Sequence, residues 1–579
     1  MKAYISMLAI ILCIPVFGEV GEWPPQSFRL QSTGGLIEDD FDYAMDPIDI
    51  RMVDGHRLYT NLANLLTYDE LILTQNTYSK YLLAYAGEML PIKGVKTFIL
   101  VEKEGSKVAA PVKIFDWQPY ELSGYGLIAG DYMDWQGEDY DWWYEREENH
   151  SYENGDVVMV NNFYDMGKLK VGARVCYIGN EYGQTTASRE LEYAGIEVGK
   201  PTYEYVHRHY EHVVEGVTDT TYEVGDFNTL GNCRTWEFTL VFAYVPDNDM
   251  EYRWDIRVVD FVDKKAIDER YEYFFDNYPH TDSFVDNRSI TEVVTGVESH
   301  DEADIELAGR LRRYLNNGYF EASVGMTTIR GGVNVDVVDG FTKHTRWRHF
   351  YSPDDSLVEE QLWYDSTYDV SIGSGVGLGF RVGGRMVIDF NKLTFGMGAY
   401  FTYSRYTENV QEKPFIRHIY SYEDHDFTMY DDYIREETIT EGIKQKVEQH
   451  TSTYTLPVGI EYRFGSNDRF RLRMGAIATF NNSTLKTVTS TVTPKTKKVY
   501  IDYKDPRRAD TTWTEKYDYH GRIETETASY SQQVRYMYGF GWQLTDNIQV
   551  DFVRFLEGNG GLLDLTTYRN LRLSITLRF

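Results

Sequence analysis

A period of two in the apolar residues constrains this chain more than any other feature. Tyr454, Leu456, Val458, Ile460, Tyr462 and Phe464 are each separated by one residue. After Gly465-Ser466-Asn467-Asp468 the alternation resumes with Phe470, Leu472, Met474, Ala476, Ala478 and Phe480. Successive strand residues point to opposite faces, so each run reads as a strand with one apolar face. The construction recurs. Trp236, Phe238, Leu240, Phe242 and Tyr244 lead through Pro246-Asp247-Asn248 into Met250, Tyr252, Trp254, Ile256 and Val258. Val534 to Leu544 lead through Thr545-Asp546-Asn547 into Ile548, Val550 and Phe552. Less regular pairs fall near 156–178, 304–328 and 372–403. All read as hairpins with short turns on one side.

The connections on the other side are long: roughly 131–151, 180–232, 261–303, 332–370, 405–450 and 484–530. Structureless segments of that length are unusual in a compact soluble domain. A membrane barrel has them by construction. The predicted fold is all-β, a transmembrane up-and-down antiparallel β-barrel of about 14 strands, within 12 to 16, with short periplasmic turns and long extracellular loops.

The N-terminus reads as a secretory signal peptide over residues 1–18, with Lys2, an apolar core from Ala3 to Phe17 and a cleavage site after Val16-Phe17-Gly18. Leu12 before Cys13 is not the small residue that lipoprotein processing wants. Beyond residue 18 no stretch approaches the ~20 apolar residues of a spanning helix. Residues 19–77 differ from the rest, with Trp23-Pro24-Pro25, the acidic run Glu38-Asp39-Asp40 and a helix-like stretch around Leu58 to Leu66. They read as a plug or as a periplasmic lead-in. Residues 78–579 read as the barrel.

The chain ends on Leu571, Leu573, Ile575, Leu577 and Phe579, alternating with Arg572, Ser574, Thr576 and Arg578. In a barrel the apolar set meets lipid and the polar set a wet interior. In the signal peptide, this closing strand and the hairpin layout, the chain resembles the bacterial outer-membrane β-barrel superfamily of porin- and transporter-like proteins. No motif assigns a subfamily. The resemblance implies a Gram-negative cell outer membrane, surrounding lipid, and a terminal strand read by the barrel-assembly machinery.

The same parity places Lys168, Lys170, Arg174, Arg253, Arg257, Arg310, Arg312, Arg381, Arg385, Arg463, Arg471, Arg473, Arg535, Arg572 and Arg578 inside. Acidic members are fewer: Glu237, Glu251, Asp255, Glu306, Glu321 and Glu461. A basic wall in a chain of net charge −32 pushes the acid into the loops, such as Asp131 to Glu148 and Glu423 to Glu437. An Arg-lined bore would pass small polar or anionic solutes. Alternatively, Arg and Glu pair across strands and fill the interior. Two further readings stay open: a barrel whose acidic, Tyr-rich loops bind a partner, and a hydrophobic-solute transporter with an N-terminal plug.

The acidic balance excludes nucleic acid as an expected partner. No phosphate-binding glycine loop or Gly-x-Ser-x-Gly elbow is present, so neither an enzyme nor a cofactor is expected. Cys176 and Cys233 stand at the two feet of the 180–232 segment and are expected to bridge in an oxidising compartment. His207, His209 and His212 cluster beside Glu211, a density of imidazole competent for zinc but without helical spacing. Polar surface is the competing reading. The acidic loops likewise read either as divalent-cation ligands or as solvated surface.

Overall fold

The computed structural model describes residues 27–63, 77–88, 95–109, 113–116, 140–195, 217–247, 249–277, 284–352, 355–424, 432–517, 521–556 and 572–579. Period two becomes strands throughout. In chain order they are β1 Arg57–Ala63, β2 Thr77–Gly87, β3 Val95–Ala109 continued by Lys113–Asp116, β4 Tyr140–Met166 and β5 Leu169–Gly195. Next come β6 Val217–Asp247, β7 Met250–Asn277, β8 Phe284–Leu315, β9 Gly318–Ser352 and β10 Asp355–Phe390. Then follow β11 Leu393–Glu412 continued by Phe415–Glu423, β12 Tyr433–Phe464 and β13 Phe470–Tyr503. The last are β14, formed by Thr511–Lys516 and Arg522–Thr545, β15 Ile548–Leu556 and β16 Arg572–Arg578.

Each strand pairs antiparallel with its sequence neighbours, and β16 pairs with β1 from Arg57↔Arg578 to Ala63↔Arg572. Backbone bonds between His56 and Phe579, 3.1 and 3.2 Å, finish the seam. The ring is therefore closed, and closure removes the sheet edges that would otherwise be left unpaired in lipid. Counting continued segments as one, it holds sixteen strands among the described residues, an even number at the top of the expected range. The short turns fall where expected, for example at Gly167-Lys168, Asn391-Lys392 and Asp546-Asn547.

The outward parity is also as expected. Trp236, Phe238, Leu240 and Tyr244 on β6 and Tyr252, Trp254, Ile256 and Val258 on β7 are all exposed. From Trp236 to Tyr244 is about 26 Å of strand at ~3.3 Å per residue, close to the ~25 Å apolar band of such barrels. At the short-turn end Tyr462, Phe464, Phe470, Phe540 and Trp542 form a chain of ring contacts, an aromatic girdle. At the other end polar residues such as Arg234, Asp260, Lys264 and Asp301 take over the outward face.

The segments expected as long loops are largely strand. β9 runs for 35 residues and β10 for 36, whereas crossing a membrane takes ~9–11. More than half of each strand stands outside the bilayer as a wall. There both faces meet water, so no apolar alternation is required. The β-propensity of runs such as Thr484 to Thr493 was the signal available.

The helix-like stretch from Leu58 is β1, not a helix, because its backbone is claimed on both edges by β16 and β2. The barrel thus begins at Arg57 rather than at residue 78. Before it, two short helices and a 3-10 turn cross the bore. α1 spans Phe28–Ser32 and α2 Asp40–Met45, and Asp49–Met52 forms the turn. Ser27 caps α1 and Asp39 caps α2. Asp42 ties the two together, accepting from the Ser27 amide at 2.8 Å, the Ser27 hydroxyl at 2.6 Å and the Asp39 amide at 2.9 Å.

Candidate functional site: the plugged bore

Residues 27–53 fill the barrel's interior and touch its wall on all sides. Phe28 packs with Met537 and Val553. Leu36 and Ile37 pack with Val387. Phe41, Ala44, Met45, Ile48 and Ile50 form one buried cluster with Phe98, Leu100, Met159, Phe163, Val241 and Ala243 of the wall. Three lumen-facing glycines let the segment approach closely. A Cβ at Gly459 would lie 2.1 Å from the Thr33 carbonyl oxygen. One at Gly475 would lie 2.5 Å from the Gly34 nitrogen, and one at Gly539 would lie 2.4 Å from the Ser32 Cβ.

Charge fixes the remaining contacts. Asp46 accepts from Arg253 at 2.6 and 2.7 Å and lies 3.6 Å from Arg310. Asp49 meets Arg312 at 3.1 Å. Glu38 meets Arg385 at 2.6 Å. Arg29 binds Glu461 through two contacts of 2.8 Å, and Arg51 binds Glu251. Asp40 meets Arg57 at 2.9 Å and Arg578 at 3.5 Å. Arg473, fully buried, joins Glu461 at 2.9 Å to Asp551 at 2.6 Å, with Arg471 half-buried beside them. Burial opposes ionisation of Asp46, but Arg253 and Arg310 outweigh it and hold its carboxyl well below the usual range.

The arginines that parity assigns to the interior have surroundings other than the open water expected of them. Arg253, Arg310, Arg312, Arg385 and Arg578 face the segment's acids rather than open water, and Arg473 is buried between the wall acids Glu461 and Asp551. Arg174 and Arg257 share Glu237 at 2.5 and 2.8 Å, and Arg381 meets Glu306 at 2.6 Å. Arg463 pairs with Asp389, and Arg535 is half-buried on β14. Lys168 lies exposed in the Gly167-Lys168 turn, and Lys170 meets Asp165 at 2.5 Å beside it, so neither lines the bore's centre. The Arg572 side chain lies outside the described residues. All six acids expected inside are ion-pair partners. What the sequence missed was that the acidic run at Glu38 and the later Asp46 and Asp49 complement the arginine wall.

A cavity of about 220 Å³ remains on the outer side of Pro47, lined by Arg174, Glu237, Arg253, Asp255, Arg257 and Arg381. Charged side chains dominate its lining.

The Cys176–Cys233 bridge is not formed; both thiols are free. Register explains this. Cys176 stands opposite Glu237 and Cys233 opposite Asn180, four positions apart on adjacent strands, well beyond the ~4.4–6.8 Å Cα spacing a disulfide needs. His207, His209 and His212 lie outside the described residues. Among the described residues no three metal-donor side chains converge.

No family model matches the chain, and no curated protein does. Among solved structures it is similar to the outer membrane transporter YddB from Escherichia coli, at 7% identity over 91% of this chain and 81% of that one, TM-score 0.26. It is also similar to a mutant of the ferric enterobactin receptor from Pseudomonas aeruginosa, at 8% identity over 91% and 80%, TM-score 0.21. A third is the copper transporter OprC, at 8% identity over 91% and 80%, TM-score 0.19. Scores this low establish no equivalence of fold or role. The closed ring, its apolar belt and its polar interior define an integral outer-membrane β-barrel protein. More narrowly, it is a barrel whose bore is occupied by its own N-terminal segment.

Proposed function

We propose that the protein is an outer-membrane transporter for a polar solute, held shut at rest by residues 27–53. The supporting observation is the ion pairing of Glu38, Asp46 and Asp49 with Arg385, Arg253 and Arg312 across the bore. A sixteen-stranded barrel without such a filling leaves an aqueous channel. Here that cross-section is taken up by two helices, their turn and the arginines that seat them. The solute enters from the outer wall, reaches the cavity above Pro47 and passes when the segment shifts.

The test is conductance in planar bilayers. The full chain is expected to be nearly silent, and a chain lacking residues 27–53 to conduct steadily. A full chain that conducts as a standing pore would restore the porin reading. Silence from both would favour a barrel that serves mainly to carry its tall outer wall as a binding surface.

A further inference from the structure

Above the segment the bore changes character. Glu302 on β8, Gly331 on β9, Gly375 on β10 and Glu408 on β11 stand in one row across four strands. The row below holds Asp304, Ile329, Gly377 and Tyr406, and the row above holds His300, Val333, Gly373 and Val410. Glycine in a strand leaves a bare floor and permits a sharp bend. Tyr406 lies across that floor. Its hydroxyl comes within 2.9 Å of where a Cβ of Gly331 would be, so it crosses β10 entirely and points at the β8 bank. Glu408 Oε1 sits over Gly373, 3.2 Å from the corresponding position.

Tyr406 is 7% exposed and Glu408 5% exposed. The Tyr406 hydroxyl, Glu408 Oε1, Asp304 Oδ1 and His300 Nδ1 are all buried without a hydrogen-bond partner. Leaving such groups unpaired is costly, more so when they are charged. The basic groups acting on this corner are His300, 3.6 Å from Glu302 and also felt by Glu408, and Arg257, felt by Asp304. Asp304 and Glu302 share a hydrogen bond, three carboxyls face two basic groups, and the Tyr406 hydroxyl and Glu408 Oε1 remain without a partner.

We infer that this glycine-floored corner binds the ammonium group of an organic cation, with Glu302, Asp304 and Glu408 as acceptors and the Tyr406 hydroxyl as a further acceptor. A metal ion needs ligand oxygens gathered about one point at ~2.0–2.6 Å, and no such group of donors converges among the described residues. Acceptors spread over two banks suit the several N–H groups of an extended amine. The inference deepens the transporter reading by naming a solute class, and rests on it for the bore being a route at all.

Spermidine titrated into the purified full chain by calorimetry tests it, with calcium and glutamate as comparison ligands. Saturable spermidine binding is expected, with no binding of glutamate. Glu408→Gln should weaken binding roughly tenfold, the worth of one charge-assisted hydrogen bond. Tyr406→Phe should weaken it severalfold. Heat-shifted gel mobility checks that each barrel is folded, and the near-isosteric Tyr406→Phe carries the test if Glu408→Gln does not fold. Absent spermidine binding, or binding unchanged in the folded variants, overturns the proposal. So does saturable calcium binding that spermidine does not compete. Binding needs no conductance, so a bilayer result against the transporter reading leaves this measurement standing.

Discussion

Asp46 is the residue whose removal should do most to unseat the N-terminal segment, and it does two separable jobs. Its carboxylate binds Arg253 at 2.6 and 2.7 Å. Its Oδ1 also accepts from the backbone amides of Ile48 at 2.9 Å and Asp49 at 3.0 Å, capping the turn that follows. Asp46→Asn removes the charge and keeps a capping oxygen. Arg253 retains Asp255 at 2.5 Å, so the loss is that of a charged hydrogen bond, about 2 kcal/mol. Asp46→Ala loses the cap as well, a further ~1 kcal/mol. At 1.36 kcal/mol per decade the open population should rise about 30-fold for Asp46→Asn and about 150-fold for Asp46→Ala. Opening frequency in planar bilayers measures this directly. If wild-type openings are too rare to count, the urea concentration at which conductance appears gives the same order. Variants indistinguishable from the wild type would refute the latch. Equal effects of Asn and Ala would remove the capping half of the argument.

The glycine cradle offers a steric counterpart: Gly459→Val places carbon 2.1 Å from the Thr33 carbonyl, and should expel the segment and give a leaking barrel that still shows heat-shifted mobility. Acid should act late. Because Asp46 is held below its ordinary range, its contribution to seating is full above ~3.9 and fades as pH falls through the lowered value. Conductance should therefore stay closed from pH 7 to about 4, and opening already at pH 5.5 would contradict the sign. Trp236 and Trp254, outward and exposed in the apolar band, should be quenched by lipids brominated in the acyl chain, and replacing both by Phe should reduce that quenching, the remainder coming from girdle residues such as Trp542. Peptide mapping without reductant should recover Cys176 and Cys233 both alkylated once the protein is unfolded.

How much was legible depends on what each face touches. Between Trp236 and Tyr244 one face meets lipid and the other the interior, so the apolar residues alternate and the parity can be read directly. Between Thr484 and Thr493 both faces meet water, the alternation fades, and a strand reads as a loop. Leu58 and Leu62 have helical spacing, yet the strand pairing of β1 decides their structure. Inside the bore, parity names the arginines but not their partners. Asp46 and Asp49 lie far from Arg253 and Arg312 in sequence, and only closure of the ring brings them together. Nor can parity see that the inward residues of β10 from Gly373 to Gly379 form a floor, because glycine carries no polarity to alternate.

The arginine wall read from the sequence as a filter for anions has that character only when it is bare. Residues 27–53 carry six carboxylates against two arginines. With them in place Arg253, Arg310, Arg312 and Arg385 are neutralised. Without them these four guanidiniums keep, among the described residues, only Asp255 and Glu321 as close partners. A ring of uncompensated positive charge favours anions. The two ways of opening the bore should then differ in sign. The chain lacking residues 27–53 should be anion-selective under a salt gradient. The full chain, opened by its solute with the segment shifted but still inside, should be cation-selective, because the segment's own acids line the path beneath Glu302 and Glu408. Reversal potentials distinguish the cases. Anion selectivity from both would mean the segment leaves the barrel altogether during transport, and an ammonium-bearing solute would then have to pass unshielded arginines that repel it.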